Sequence, residues 1–509
     1  MIKLITIKRY EIALTAIILF LTFFRLDAVP PLWWDEGWTL SVARNWFETG
    51  HYKRLLEGQL SPRGLEAAPT VTASVYLAFQ LFGVGVVQAR MVGIVYTFAT
   101  LLVVYYLARR LYNREIALAT LLVLSFTPSY VELVPMYAGR QVLAEMPAIF
   151  FLLLGYASFL LAFHRHMLWL LFPIICWSVA LSTKAQVMPF WLCSIFVTLI
   201  GLVYQKQWRS SLDLTFGCVG SLIGSQLLFV LWRHFLWLDA STGGAVMGLY
   251  EVTAAVASIP ARLFALIVTG LFGLPTLAGL CHAAWSMLAK KDSFGDRVEH
   301  IRLSLVILAG SWFAWFVLLS VGWIRYIFPA IFMGSIFVAA MIFDLTRGFD
   351  VTYTIHNSLA IFKGRGFNRQ AIGTLFVAVI VVTSIPRTAI ALYEAYILDA
   401  DTSVRQAAEF INSQTQSDAL IETYDSELFF FLNRPYHYPP DQVHVQLIRR
   451  TFLYEDNTRI GYDPLAADPD YLVVGPHSKK WRLYDDVLKT GTFHLVRTYR
   501  RYRIYERVR

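Results

Sequence analysis

Near its start the chain carries Trp33-Trp34-Asp35-Glu36-Gly37-Trp38, two adjacent carboxylates set among three indoles. They lie just past the first apolar segment, where charge is costly unless it is paired or used. Adjacent carboxylates held among aromatic rings raise each other's proton affinity, and a general base is one outcome. The alternative is that Asp35 merely N-caps a following helix. Further ionisable residues stand at the predicted mouths of other apolar segments: Glu66, Arg140, Glu145, Lys184 and Arg325. Singly, each is explained by snorkelling or by capping a short turn, as for Lys184. Read together, they place carboxylates and cations from separate loops on one membrane face.

The elements that must position these residues are mostly membrane helices. The 509 residues are 57% hydrophobic and 16% charged, and mean hydropathy is +0.53, outside the range of soluble globular chains. Apolar blocks of about 20 residues, the length that crosses a bilayer core, recur up to about residue 390. They predict a polytopic α-helical membrane protein with about eleven spans, residues 1–391, followed by a soluble α/β domain, residues 392–509. Much of the net charge of +9 lies in short loops between spans, which excludes a nucleic-acid partner as its explanation. Cys176, Cys193, Cys218 and Cys281 lie in or beside apolar stretches, and suggest neither a disulfide nor a thiolate metal site.

With Lys3, Lys8 and Arg9 inside, the first segment is an uncleaved span, and residues 28–90 form a long external loop that holds the Asp-Glu pair. Trp38, Val42 and Trp46 predict an interfacial amphipathic helix, Thr70 to Phe82 a second surface helix, and Arg90 opens the second span. An external loop at 233–260, with Gly243-Gly244, could close over a ligand. The span count puts the N-terminus in the cytoplasm and the C-terminal domain outside; merging two short spans would reverse that domain. In the tail, Ile421 and Tyr471 begin predicted strands, and Phe493 to Val496 with Tyr502 to Tyr505 a hairpin. The run Arg497, Arg500, Arg501, Arg503, Arg507, Arg509 suits either lipid headgroups or a solvated strand face.

These groups suit transfer of a sugar from a polyprenyl phosphate. The leaving group is already a stable anion, so positive charge beside it suffices and no general acid is needed. The acceptor hydroxyl or amine must lose a proton, which one carboxylate can take. Asp35 would be that base, beside Glu36. Arg140, Arg325 and Lys184 would hold the phosphate, with a hydrogen bond from Tyr326, and Glu66 and Glu145 would shape an acceptor or structural pocket. A transporter or flippase of lipid-linked sugars is the alternative, but it more often has mid-membrane charges, broken helices and repeated halves, none of which is evident.

The chain resembles GT-C glycosyltransferases of the protein O-mannosyltransferase and aminoarabinose-transferase superfamily. The resemblance rests on Asp35-Glu36 after span one with Ala43-Arg44-Asn45 and Gly50, the Glu66 to Pro69 turn, Arg140 followed by Glu145-Met146-Pro147, and Arg325-Tyr326 with Pro329. In the tail, Tyr424-Asp425 and Tyr436-His437-Tyr438-Pro439-Pro440 are similar to extracytoplasmic domains of bacterial members. It implies a first-loop catalytic aspartate, a polyprenyl-phosphate-linked sugar as donor, a glycan, lipid or protein acceptor, inversion at the sugar, no cofactor and no essential metal. A multi-pass protein of a bacterial or archaeal plasma membrane is expected. Two departures stand out. Members often carry Lys-Pro-Pro after the loop glutamate, where Ala67-Ala68-Pro69 follows Glu66 here, and often Asp where Glu145 stands.

Overall fold

The computed structural model describes residues 2–61, 67–162, 167–236, 243–289, 296–362, 368–455 and 457–508. The N-terminal part is helical: α1 Ile2–Phe23, α2 Trp34–Thr49, a short hairpin of β1 Arg54–Leu56 and β2 Gln59–Ser61, then α3 Pro69–Phe82, α4 Val86–Leu111, α5 Arg114–Phe126, α6 Pro135–Ala138 and α7 Glu145–Ala162. It continues with α8 Leu171–Thr183, α9 Val187–Tyr204, α10 Trp208–Leu236, α11 Gly243–Thr253, α12 Ile259–Val268, α13 Leu274–Ala289, α14 Arg297–Leu318, α15 Ile324–Leu345, α16 Val351–Phe362 and α17 Arg369–Tyr393. Among the described residues eight helices are long and apolar enough to cross a membrane, and Glu11–Phe23 and Met167–Thr183 are shorter apolar helices.

The share of each span buried against protein decides its place in the bundle. For α15 it is 89%, whereas for α10 it is 17%. Thus α15 is the central helix and α10 faces lipid, consistent with exposed Phe216, Ile223, Leu227 and Val230 along it. Gly93 on α4 allows the close approach of the α6–α7 connection, since a Cβ there would lie 2.5 Å from the Gly139 carbonyl oxygen.

The C-terminal domain begins with α18 Ser403–Gln414, followed by β3 Ile421–Thr423, β4 Tyr436–His437, α19 Asp441–Phe452, β5 Tyr471–Val474, α20 Pro476–Trp481, α21 Asp485–Lys489, β6 Phe493–Tyr499 and β7 Tyr502–Arg507. Its sheet has the order β4-β3-β5-β7-β6, with β3 parallel to β4 and β5, and β7 antiparallel to β5 and β6. Short apolar strands such as Tyr471-Leu472-Val473-Val474, buried between helices, are the expected grammar of such a mixed sheet. Three of the closing arginines are engaged by carboxylates: Arg500 pairs with Asp399, Arg501 with Asp401, and Arg507 with Asp468.

The helix predicted as interfacial is covered by protein. α2 starts at Trp34, earlier than its periodicity suggested, and is buried from Glu36 to Ala43. Trp34 and Trp38 belong to the same apolar cluster as Ala407, Ile421, Tyr424, Leu472 and Ile504, the core of the C-terminal domain. The reason is that its apolar stripe meets protein instead of lipid. Arg44 donates to the carbonyls of Phe430 and Leu432 and to Asn433, and Trp38 packs edge-on against Phe429 and Tyr438. Gly37 makes this contact possible: a Cβ there would lie 2.4 Å from the Ser426 carbonyl oxygen and 2.5 Å from Glu427 Cα.

Candidate active site

Asp35 and Glu36 occupy the first turn of α2, and successive helical positions point about 100° apart, so they face different partners. The Glu36 side chain is wholly buried. Its Oε1 accepts from Arg90 Nε at 3.0 Å and from the Val142 amide at 3.3 Å, and its Oε2 from Arg90 Nη2 at 2.9 Å and the Trp33 amide at 3.3 Å. Arg90, also fully buried, donates its remaining arm to the Leu26 carbonyl at 3.0 Å. Glu36 is therefore a clamp that fixes the end of α1, the start of α2, and α4. The sequence reading placed it in the chemistry beside Asp35; its four acceptor contacts are all taken by the protein. The capping role considered for Asp35 also falls to Glu36, whose carboxylate reaches back to the Trp33 amide.

Asp35 forms an ion pair with Arg325 at the start of α15. Arg325 Nε lies 3.9 Å from Glu145 Oε1, and Lys184 Nζ donates to the same oxygen at 2.6 Å. The result is a row of alternating charge, Asp35, Arg325, Glu145 and Lys184, drawn from α2, α15, α7 and the end of α8. Tyr326 stacks near Trp323 and Trp315 and shares with these four the wall of a cavity of about 220 Å³, which Thr39, Ala67, Leu249 and Thr253 complete. Leu249 and Thr253 come from α11, so residues 243–253 of the 233–260 loop fold as a helix whose end lines this cavity.

A second cavity, of about 870 Å³, shares Trp34, Asp35, Trp323, Arg325 and His444 with the first. Asp35 and Arg325 thus stand where the two meet. The larger cavity reaches the outside of the helix bundle at exposed Phe264 on α12 and Ile390 on α17, and is closed above by the C-terminal domain through His444, Phe452, His477 and Trp481.

Not every expected residue is brought here. Arg140 lies behind the wall: it is fully buried, donates to the Phe24 carbonyl, sits 5.0 Å from the Tyr396 ring centre, and lines neither cavity, although its neighbours Tyr137 and Gln141 line the larger one. The hinge between α6 and α7 turns its side chain away from both cavities, and Arg140 Nε and Nη1 have no hydrogen-bond partner among the described residues. Glu66 lies outside the described residues. No group of three or more His, Cys, Asp or Glu that could hold a metal ion occurs among the described residues.

Other residues enter the site that sequence reasoning passed over. Arg387, beyond the predicted end of the last span, lines the larger cavity and makes no ion pair among the described residues. His444 and His477 flank Asp35 from the C-terminal domain. Trp34 stacks on His444 with ring centres 4.8 Å apart, and its indole N–H donates to the Tyr424 carbonyl at 2.9 Å. Ser426 Oγ donates to the Trp34 carbonyl at 2.6 Å, and the Tyr424 hydroxyl meets His444 Nδ1. The only signal available for these contacts was the cluster of indoles, which had to be covered by something; no spacing motif marks either histidine.

Burial lowers the pKa of both imidazoles to about 4, against the opposing pull of the Asp35 carboxylate. An unfolded histidine titrates near 6.5, so between about 6.5 and about 4 the unfolded chain binds more protons than the folded one. The stability these two groups contribute is complete above that window and is lost as pH falls through it. Thermal unfolding of the full protein from pH 7.5 to 4.5 should show falling stability, with a shallower slope in His444→Gln/His477→Gln. An unchanged slope in the double variant would assign the acid sensitivity elsewhere.

The model of the dolichyl-phosphate-mannose-protein mannosyltransferase family matches residues 66–232, about a third of the chain. No curated protein sequence matches. Among solved structures, ArnT from Cupriavidus metallidurans bound to undecaprenyl phosphate superposes with a TM-score of 0.64 at 17% identity, over 98% of each chain. Its apo state gives 0.63 at 18%, over 99% of this chain and 98% of that one. The Archaeoglobus fulgidus oligosaccharyltransferase in its apo form gives 0.54 at 12%, over 94% of this chain and 71% of that one. The fold is that of a GT-C glycosyltransferase. The family match over residues 66–232 and this fold agree with the superfamily that the motifs resemble.

Proposed function

We propose that this protein transfers a sugar from a polyprenyl-phosphate donor to an extracytoplasmic lipid, glycan or protein acceptor, with Asp35 as general base. The observation that carries this reading is the position of Asp35 at the junction of two cavities, with Arg325, Lys184 and Tyr326 on the smaller one and an apolar, lipid-reaching wall on the larger. The donor phosphate and sugar occupy the smaller cavity and the acceptor the larger. Arg325 is held by Asp35 and Glu145 when no anion is present; an arriving phosphate draws the guanidinium toward itself, and Asp35 is left to receive the acceptor's proton. The acceptor oxygen or nitrogen attacks the anomeric carbon, the bond to the phosphate oxygen breaks with its electron pair, and polyprenyl phosphate departs as an anion. Arg387, at the lipid end of the larger cavity, is a further cation for an anionic head group. The protein lies in the plasma membrane with its N-terminus cytoplasmic and the C-terminal domain outside.

The deciding experiment is release of free polyprenyl phosphate by the purified full chain from a panel of polyprenyl-phosphate sugars, with envelope extract as acceptor and with or without chelator. Release coupled to labelled product supports the transferase, and its persistence in chelator supports a metal-independent step. Movement of intact donor across a vesicle membrane with no release would make it a flippase.

A further inference from the structure

The wall that the C-terminal domain gives the larger cavity contains two polar atoms that the protein leaves unsatisfied. Ser403, at the start of α18, is 2% exposed, and Glu427, in the turn before Phe429, is 1% exposed. Among the described residues neither Ser403 Oγ nor Glu427 Oε2 has a hydrogen-bond partner, and both residues line the cavity. Around them the remaining polar atoms are spoken for. Glu427 Oε1 accepts from the Tyr502 hydroxyl at 2.7 Å, and Asp401 accepts from the Ser403 amide at 2.8 Å and from Arg501 at 2.7 Å. Buried polar atoms without partners are uncommon because each forfeits its hydration, and two in one cavity wall mark a place where something else supplies the bonds.

Charge narrows what that is. Asp401 is neutralised by Arg501. Burial raises the proton affinity of both Asp425 and Glu427. Asp425 accepts from the Gly475, His477 and Ser478 amides and from Ser478 Oγ, whereas Glu427 has one donor, Tyr502. A proton held by this pair therefore resides on Glu427. Lys480 lines the same wall over the Phe452 and Trp481 rings, but beside Ser403 and Glu427 the cation Arg501 is already paired with Asp401, so this corner presents no free cation to a phosphate. It offers hydroxyl and carboxyl groups that both donate and accept, in a cavity that the Trp33 indole also lines.

We propose that Ser403, Glu427 and the Asp401–Arg501 pair form a subsite for a neutral sugar ring of the acceptor, so that the acceptor is a glycan or glycolipid. This rests on the transferase reading for the word acceptor, but not for the binding itself. The test is saturation-transfer NMR on the full chain in nanodiscs with the methyl glycosides of glucose, galactose, mannose and N-acetylglucosamine, for wild type, Ser403→Ala and Asp35→Asn. At least one glycoside should receive saturation, Ser403→Ala should weaken it tenfold or more, and Asp35→Asn should leave it in place. Because Ser403 Oγ bonds to nothing, the melting temperature of Ser403→Ala should equal or exceed wild type, which separates lost recognition from lost folding. Absence of transfer to every glycoside, equal transfer in Ser403→Ala, or displacement of the glycoside by inorganic phosphate overturns the subsite. Intact glycoside binding together with unaltered sugar transfer in Asp35→Asn would instead sink the base assignment and leave the subsite standing.

Discussion

Asp35→Asn is expected to lower sugar transfer by about two to four orders of magnitude, the usual worth of a positioned general base. The amide keeps the shape of the carboxylate and cannot take the acceptor's proton. Structural loss should be small. The Asp35 and Arg325 side chains are each 25% exposed, so their pair is partly screened, and Glu145 remains 3.9 Å from Arg325. Single-turnover release of polyprenyl phosphate, measured beside a melting curve, checks both halves. A variant that melts like wild type and transfers at an undiminished rate would remove Asp35 from the mechanism.

Glu36→Gln, one residue on, should fail in the opposite way. It leaves the Arg90 guanidinium buried with no compensating charge, and breaking such a pair costs about 3–5 kcal/mol. The expected result is a sharply lowered melting temperature and poor recovery from the membrane, with activity lost in proportion to folded protein. Replacing both partners, Glu36→Leu with Arg90→Met, should restore much of the stability, because no unpaired charge is then left inside. Should Glu36→Gln fold like wild type yet be inactive, Glu36 would take part in the chemistry as its sequence position first suggested. The pair of variants thus separates two carboxylates that are neighbours in the chain and have unlike tasks.

A difference of this kind lies in the direction a side chain takes, and the sequence carries directions only where periodicity is strong. The apolar blocks were legible because a bilayer admits few solutions: each must form a helix, and its length and flanking charges mark its place. The Asp-Glu pair, Arg325-Tyr326, Glu145 and Lys184 were legible as charges that a membrane mouth must pair or use, and the structure brings Asp35, Arg325, Glu145, Lys184 and Tyr326 to one small cavity. Arg140 carried the same signal and turned inward, because an irregular connection between α6 and α7 has no period from which its side-chain direction follows. α2 was read as interfacial since its stripe of Trp38, Val42 and Trp46 fits lipid and protein equally well. Only the tertiary structure decides between them, by seating the C-terminal core on Trp34 and Trp38 and bringing His444, His477 and Glu427 to the cavity. Those contacts join residues nearly 400 positions apart, as Trp34 to Tyr424 at a separation of 390 shows, and local patterns hold no record of them. What the sequence determined by itself was therefore a polytopic helical membrane fold, with about eleven spans expected where eight described helices are long and apolar enough, and the charges at its mouth. Which charge clamps, which stands open to a ligand, and what the C-terminal domain adds were settled by packing.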